Sequence, residues 1–319
     1  MDDTGILEMF DRMIAQLFDS AALRRIEDGS TDPDIWASLE ASGFLDALVG
    51  ESDGGSGLSF AETLPLFIAL GQRAVPFPVG ETIIARAMLA QAGLDRPSGP
   101  IVLGIPSLVL PGAQHAEYVL TETSGKVELH RLADTKNLDA ENGAPHDLLT
   151  NKGAMGAEED ATTRLATSAA VLFAALIAGA SDNVLQMSVD YALQRSQFGK
   201  AIARQQILQQ NLAVAVEHVV EARIACETAA HHDQWPRLTD AACAKVATSR
   251  TATVVTRTAH ALHGAIGISG EYDLNLYTRR IHAWRLAGGT QSYWAGEMGK
   301  NIISDPRPTL ALMREEMFS

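Results

Sequence analysis

A planar cation, an amide and an aromatic ring fall close together in Tyr191-Ala-Leu-Gln-Arg-Ser-Gln-Phe-Gly-Lys200. Arg195 offers a fork of donors that matches a phosphate, Gln197 an amide, and Phe198 a flat apolar surface. Together they suit an anionic, flat ligand such as a dinucleotide. They also suit an ordinary interhelical turn with a solvated arginine, and spacing alone leaves both readings open. Other clusters carry less chemistry. His260 and His263 lie three apart on one helical face, but no Glu-x-x-His element faces them, so no metal site is expected. Cys226 and Cys243 lack ligand spacing and read as buried free thiols in a reducing cytoplasm. The glycines of Glu51-Ser-Asp-Gly-Gly-Ser-Gly57 have no P-loop lysine and read as a flexible connection. His231-His232-Asp233 reads as an exposed loop.

Two helices must hold the Arg195 corner. Leu165, Ala169, Leu172, Leu176, Ala180, Val184, Met187 and Tyr191 recur at spacings of three and four, one face of a long helix. Leu208, Leu212, Ala215, Val219, Ala222 and Cys226 do the same beyond it, with Gly199 as the break. Ala244, Thr248, Ala252, Val255, Ala259 and Leu262 form a third stripe. It ends in His263-Gly-Ala-Ile-Gly-Ile-Ser-Gly270, and a helix starts at Glu271. The last helix, Gln291 to Ile303, follows the turn Ala287-Gly-Gly-Thr290. Helices of this length and number make an antiparallel bundle, expected over residues 159–319.

Upstream, Ile6, Phe10, Ile14 and Phe18 recur every four residues. Asp32-Pro33-Asp34 marks a helix start, and helices are also expected from Ser59 to about Arg73 and from Glu81 to Gly93. Residues 1–97 thus read as a helical domain. Ile101–Ile105, Ser107–Leu110, Tyr118–Thr121 and Lys126–His130 are short, β-rich and bounded by Gly and Pro. Residues 98–158 therefore read as a small β domain with a polar linker, Asn151 to Asp160. The fold class expected is mainly α with a small β segment in the middle.

Composition narrows the function. Of 319 residues, 46% are hydrophobic and 20% charged, the balance of a soluble globular protein. A formal net charge of -14 disfavours nucleic acid, whose phosphates need a basic surface. Met1-Asp-Asp-Thr-Gly5 lacks the basic start of a signal peptide. The run Leu165 to Ala180 is short for a membrane span and contains Thr167 and Ser168, so a buried bundle helix is expected instead.

Several separate pieces, in this order, resemble the acyl-CoA dehydrogenase superfamily. Ser30 to Gly93 is similar to its N-terminal helical domain, including Gly54-Gly-Ser-Gly-Leu58 and Gly71-Gln-Arg-Ala-Val-Pro76. Arg195-Ser-Gln-Phe-Gly199 with Ile202 and Gln206 resembles its flavin-binding turn. Leu262-His-Gly-Ala-Ile-Gly267, with Glu271 and Arg279-Arg280, resembles its C-terminal glycine turn. Gly288-Gly-Thr290 stands where the family carries Glu-Gly-Thr. The resemblance spans nearly the whole chain. It implies FAD as cofactor and an acyl-CoA as substrate: a carboxylate removes the α-proton while the flavin accepts the β-hydride. It implies that Arg195, Gln197, Phe198 and Gln206 meet FAD held mainly by a neighbouring subunit, and that Gly264, Gly289 and Thr290 also line the cofactor. An electron-transfer flavoprotein or similar acceptor is the implied oxidant.

The departures from the family pattern are as informative. The position of the usual base is Gly288, and a second family position for it falls near Ala169. Ala261 and Ala265 replace a glutamine and a glycine often seen beside the cofactor. The chain therefore resembles the half without a base in heteromeric (α2β2) enzymes that shorten steroid side chains. No catalytic residue is expected in it. A homologous subunit bearing the glutamate is the expected partner, in a dimer or tetramer. Two rivals stand beside this reading: a self-sufficient homo-oligomer whose base is Glu217, Glu221 or Glu271, and a helical scaffold without flavin. The expected surface for the partner includes Leu276, Trp284, Tyr293 and Trp294 on the last bundle helices.

Overall fold

The computed structural model describes residues 3–28, 30, 33–105, 110–132, 138–140, 148–151, 163–197, 199–231, 235–311 and 314. Five helices come first: α1 (Asp3–Leu17), α2 (Ser20–Glu27), α3 (Pro33–Ser42), α4 (Phe60–Gln72) and α5 (Val79–Gln91). Their starts follow local chemistry. Asp19 accepts the Ala22 N–H at 2.7 Å, and Pro33 opens α3 where its missing N–H costs nothing. Ser59 and Glu62 form a reciprocal capping box at α4. The glycine loop between α3 and α4 is packed rather than loose. Gly57 N–H donates to Val49 O at 2.8 Å and Leu58 N–H to Ala47 O at 2.9 Å. A Cβ on Gly55 would lie 2.2 Å from Val49 O. The expectation of a flexible connection is therefore corrected: the glycines let the chain lie against its own backbone.

Among the described residues the middle segment forms two three-stranded sheets, ordered β1-β3-β4 and β2-β6-β5. The strands are β1 (Ile101–Leu103), β2 (Leu110–Pro111), β3 (Tyr118–Thr123), β4 (Lys126–Arg131), β5 (Leu138–Ala140) and β6 (Leu148–Asn151). The β3–β4 hairpin turns on Ser124 and Gly125, both at positive φ (52° and 76°), the backbone that two-residue hairpins require. β1 pairs with β3 in parallel, Val102 opposite Val119. Of the stretch expected as a linker, Asn151 ends β6 and the remainder lies outside the described residues.

The second half is the bundle: α6 (Arg164–Gln194), α7 (Gln206–Ala229), α8 (Leu238–His263), α9 (Leu274–Leu286) and α10 (Gln291–Ser304). A two-stranded hairpin, β7 (Ser196–Gln197) and β8 (Lys200–Ala201), joins α6 to α7. α6 is the central element. Every residue from Thr167 to Ser181 is buried, and 89% of its most apolar window lies inside the protein. It is long and apolar enough to cross a membrane, and its hydropathy is used against α4, α7, α8 and α9. α4 and α6 cross at two glycines. A Cβ on Gly71 would lie 2.2 Å from Leu176 O, and one on Gly179 would lie 2.0 Å from Ile68 O. Only glycine at both positions allows the backbones this close. One continuous core runs from Phe10 and Ile14 through α4, α5 and α6 to Trp284 and Trp294. Arg24 to Asp273, at 2.7 Å, and Arg280 to Glu27, at 2.6 Å, tie α2 to the start and middle of α9.

Three of the four residues expected to face a partner point inward instead. Leu276, Trp284 and Trp294 are buried, and Tyr293 is half-buried. Large aromatics on a late helix read as a surface only if its core face is misassigned. Here Trp294 is held inside by its Nε1–H bond to Gly288 O at 2.6 Å. Among the described residues, the exposed apolar side chains concentrate on α7: Ile207, Val214, Val216, Val220 and Ile224.

Candidate cofactor site

The Arg195 corner is built from the C-terminal end of α6. Arg195 N–H still donates to Tyr191 O at 2.8 Å, but Arg195 itself is extended and accepts from Ile202 N–H at 2.8 Å. The hairpin between them pairs Ser196 with Ala201 and Gln197 with Lys200. Gly199, at φ 75°, supplies the left-handed residue this tight turn needs. Ile202 buries against Ala192 of α6 and Leu262 of α8, which anchors the hairpin to two helices. Arg195, Gln197 and Gln206 are all exposed, and the Arg195 guanidinium has no partner among the described residues. Phe198 lies outside the described residues. The Leu262 contact brings the end of α8 to the same corner. There Gly264 adopts φ 64° and ψ -140°, backbone suited only to glycine, and a side chain would project into open space.

Two further cations stand at this corner, Lys200 and Arg204, both exposed. No Asp or Glu occurs between Asp190 and Glu217. In a chain of net charge -14 this is a local basic surface, and it could have been seen by counting acids along the sequence. Leu193, Ile207 and Ile268 are exposed on the same segments. The donor set of a guanidinium, two amides and two flanking cations fits a nucleotide diphosphate.

The glycine turn lies elsewhere. Gly288 and Gly289 have φ 63° and 84°, and Thr290 caps α10 by accepting the Tyr293 N–H at 3.2 Å. The Thr290 side chain is exposed, so its O–H is free to donate at the N-terminal end of α10, where an anion is favoured. A Cβ on Gly288 would lie 2.8 Å from the Phe173 ring and 3.4 Å from the Ala169 carbonyl. Gly288 and Ala169 are thus neighbours, and Phe173 fills the space between α6 and the turn. Along α6, at about 1.5 Å per residue, Ala169 and Arg195 are roughly 39 Å apart. The structure therefore brings Arg195, Gln197, Gln206 and Gly264 together at one end of the bundle, and Gly289 and Thr290 at the other. A single dinucleotide cannot touch both ends.

Ala169 and Gly288, the two positions where the resemblance places the base, carry no carboxylate of their own. Glu217, Glu221 and Glu271 are exposed. Glu221 is engaged by His218 at 3.1 Å and Arg250 at 3.7 Å. Several buried ionisable groups escaped the sequence reading, Glu81 and Lys245 among them. Glu81, in the first turn of α5, is buried, and desolvation pushes its carboxyl up to about 8. It lines a water-sized cavity with Arg280 and Trp284. Lys245, in α8, is fully buried and donates to Trp284 O at 2.5 Å. Neither was legible, because a lone charge in a helix ordinarily marks its solvent face. Each histidine bonds through one ring nitrogen: His263 Nδ1 meets Ala259 O at 2.8 Å and His260 Nε2 meets Thr278 Oγ1 at 3.2 Å. Among the described residues no group of three metal-ligating side chains occurs. Cys226 is buried and its thiol is pushed up to about 12 by desolvation, while Cys243 is half-buried.

Residues 159–303 match the family described as acyl-CoA dehydrogenase, C-terminal domain. Over 96% of its length the chain is 30% identical to the acyl-CoA dehydrogenase IpdE2 of Mycobacterium tuberculosis, covering 94% of that protein. The fold matches a chain of the ChsE4-ChsE5 complex from Mycobacterium tuberculosis with a TM-score of 0.76, at 18% identity, over 96% of this chain and 99% of that one. It matches the Tcur3481-Tcur3483 steroid acyl-CoA dehydrogenase G363A variant with a TM-score of 0.75, at 19% identity, over 94% of this chain and 98% of that one. At such identities these two likenesses establish the fold alone.

Proposed function

The chain belongs to the acyl-CoA dehydrogenase family, whose cofactor is FAD, and on that premise we propose that it is the subunit without a base in a heteromeric acyl-CoA dehydrogenase. The observation that carries this reading is the closed Gly288 position, with no side chain of its own, Ala169 beside it and Phe173 filling the space. When bound, the flavin accepts the hydride leaving the β-carbon of an acyl-CoA. Removal of the α-proton needs a carboxylate within hydrogen-bond reach, and that group would come from a homologous subunit. The steroid enzyme among the structural neighbours makes a steroid side-chain thioester the acyl-CoA proposed here. An electron-transfer flavoprotein or similar acceptor would reoxidise the flavin, in a cytoplasmic dimer or tetramer. Residues 1–97, 98–158 and 159–319 would be its three units.

The roughly 39 Å along α6 gives the partner a physical role. Arg195 and Gln197 would hold the diphosphate and sugar of FAD lodged mainly in the adjoining subunit, with Phe198 and Gln206 beside it. Gly264 would leave room for that cofactor. Gly289 and Thr290 would serve a different FAD, with the Thr290 hydroxyl donating to its diphosphate. The apolar face of α7 and the groove it forms with α8 and α10, lined by Ile224, Val246 and Met298, would take the partner's helices.

The isolated chain is expected to show no turnover of an acyl-CoA with an artificial electron acceptor, and a co-expressed homologue bearing the glutamate is expected to restore it. Rapid bleaching of flavin in the isolated homo-oligomer by an acyl-CoA would overturn the proposal. Arg195→Ala is expected to weaken flavin binding by the intact assembly about ten- to hundredfold, the loss of one charge-assisted contact of roughly 1.5–3 kcal/mol. Arg195→Lys should recover only part, since an ammonium lacks the planar fork. Unchanged affinity in flavin titration would return Arg195 to the role of a solvated turn residue.

A further inference from the structure

The turn that carries Gly289 and Thr290 is held from both sides by buried side-chain donors. After it, Trp294 Nε1–H binds Gly288 O at 2.6 Å. Before it, Lys245 Nζ binds Trp284 O at 2.5 Å. Trp284 lies in the last turn of α9, where carbonyls lack partners within the helix, and a lysine from another helix satisfies one of them. Lys245 is fully buried, and its Nζ stands 5.5 Å from the centre of the Phe173 ring. The Phe173 ring is the group that packs on Gly288. Lys245, Phe173, Trp284 and Gly288 are therefore one contact unit.

We propose that Lys245 is a positioning residue for the Gly288–Thr290 turn, and that loss of its proton tightens the turn around the cofactor. Burial, reinforced by Arg285 on α9, pulls the amine down to about 7, with Cys226 on α7 acting the other way. From α6 the uncharged Phe173 ring faces it. When the turn opens, water reaches the amine and its proton affinity rises toward that of an ordinary lysine. The open form then binds the proton more tightly than the closed form, so protonation favours opening. Below pH 7 both forms hold the proton and the turn is at its loosest. Above pH 7 the closed form releases it, and opening becomes rarer with each unit of pH. The neutral amine keeps an N–H for Trp284 O, so the hold survives deprotonation.

The relevance of the turn to FAD rests on the function proposed above, and the experiment separates the two. Amide exchange of residues 288–293 is followed in the flavin-free chain from pH 6 to 9, corrected for intrinsic exchange, alongside flavin affinity of the assembled protein. The open fraction in the unsubstituted chain should be level below pH 7 and then fall by up to about tenfold per unit. Lys245→Met should raise it and flatten the profile. A flat profile in the unsubstituted chain, which needs no variant to fold, or the same slope in Lys245→Met, overturns the role of Lys245. Tightening of the turn with no accompanying rise in flavin affinity leaves the lock intact and overturns the assignment of the turn to FAD.

Discussion

Gly288→Glu is expected to give a less stable chain that still does not dehydrogenate an acyl-CoA. Restoring the family's glutamate looks like the direct repair, but the local structure opposes it. The backbone at 288 is left-handed, at φ 63°, which costs a residue with a Cβ about 1–2 kcal/mol. The Cβ itself would meet the Phe173 ring at 2.8 Å, well inside ordinary contact. That ring is buried and bounded by Lys245, so it cannot swing freely. Overpacking of this kind typically costs about 1–3 kcal/mol, so the whole loss should be about 2–5 kcal/mol. Urea unfolding of the variant beside Gly288→Ala is the informative comparison. Because the contact begins at Cβ, alanine should lose nearly as much as glutamate. A Gly288→Glu chain that keeps its stability and reduces its own flavin with substrate would show that only a carboxylate was wanting, and that Phe173 does not close the site.

The two long helical stripes were legible because each has a single buried face. Ala244, Thr248, Ala252, Val255, Ala259 and Leu262 are all buried as their spacing requires. On α7 the inward stripe was equally clear, with Ala215, Val219, Ala222 and Cys226 buried. Its outward face was not, since valines and isoleucines on both faces of one helix blur the period that separates core from surface. Trp284 and Trp294 failed for a related reason. A large aromatic is compatible with an interface or a core, and only the Gly288 carbonyl that receives the Trp294 N–H decides between them. The parallel pairing of β1 with β3 depends on a long-range connection that no local pattern encodes. At the corner, the residue types that face an anion were visible in sequence. The distance from them to the glycine turn was hidden until Gly288 was seen to pack beside Ala169 and Phe173, near the start of α6.

Glu81→Gln is expected to stabilise the chain at pH 8 by several kcal/mol while leaving it almost unchanged near pH 4.5. Glu81 is buried at the first turn of α5, and its carboxyl is pushed up from 4.5 to about 8 by desolvation, partly opposed by its own backbone N–H. The direction of the stability effect follows from which state holds the proton. Below pH 4.5 the group is neutral both folded and unfolded, and burial of the charge costs nothing. Between pH 4.5 and 8 the unfolded chain releases its proton while the folded chain retains it, so stability falls by up to about 1.4 kcal/mol per unit. Above pH 8 the carboxylate is charged in both states, and the full penalty, on the order of 4–5 kcal/mol, is present. Glutamine has nearly the same shape, keeps an oxygen for the backbone N–H and never ionises. The gain over the unsubstituted chain should therefore grow steadily across pH 5, 6.5 and 8 in urea unfolding. Lys245 titrates with the opposite sign from about pH 7 upward, but it is present in both chains and cancels from the difference. A gain that does not change with pH would mean that the cavity beside Arg280 and Trp284 already solvates the carboxylate.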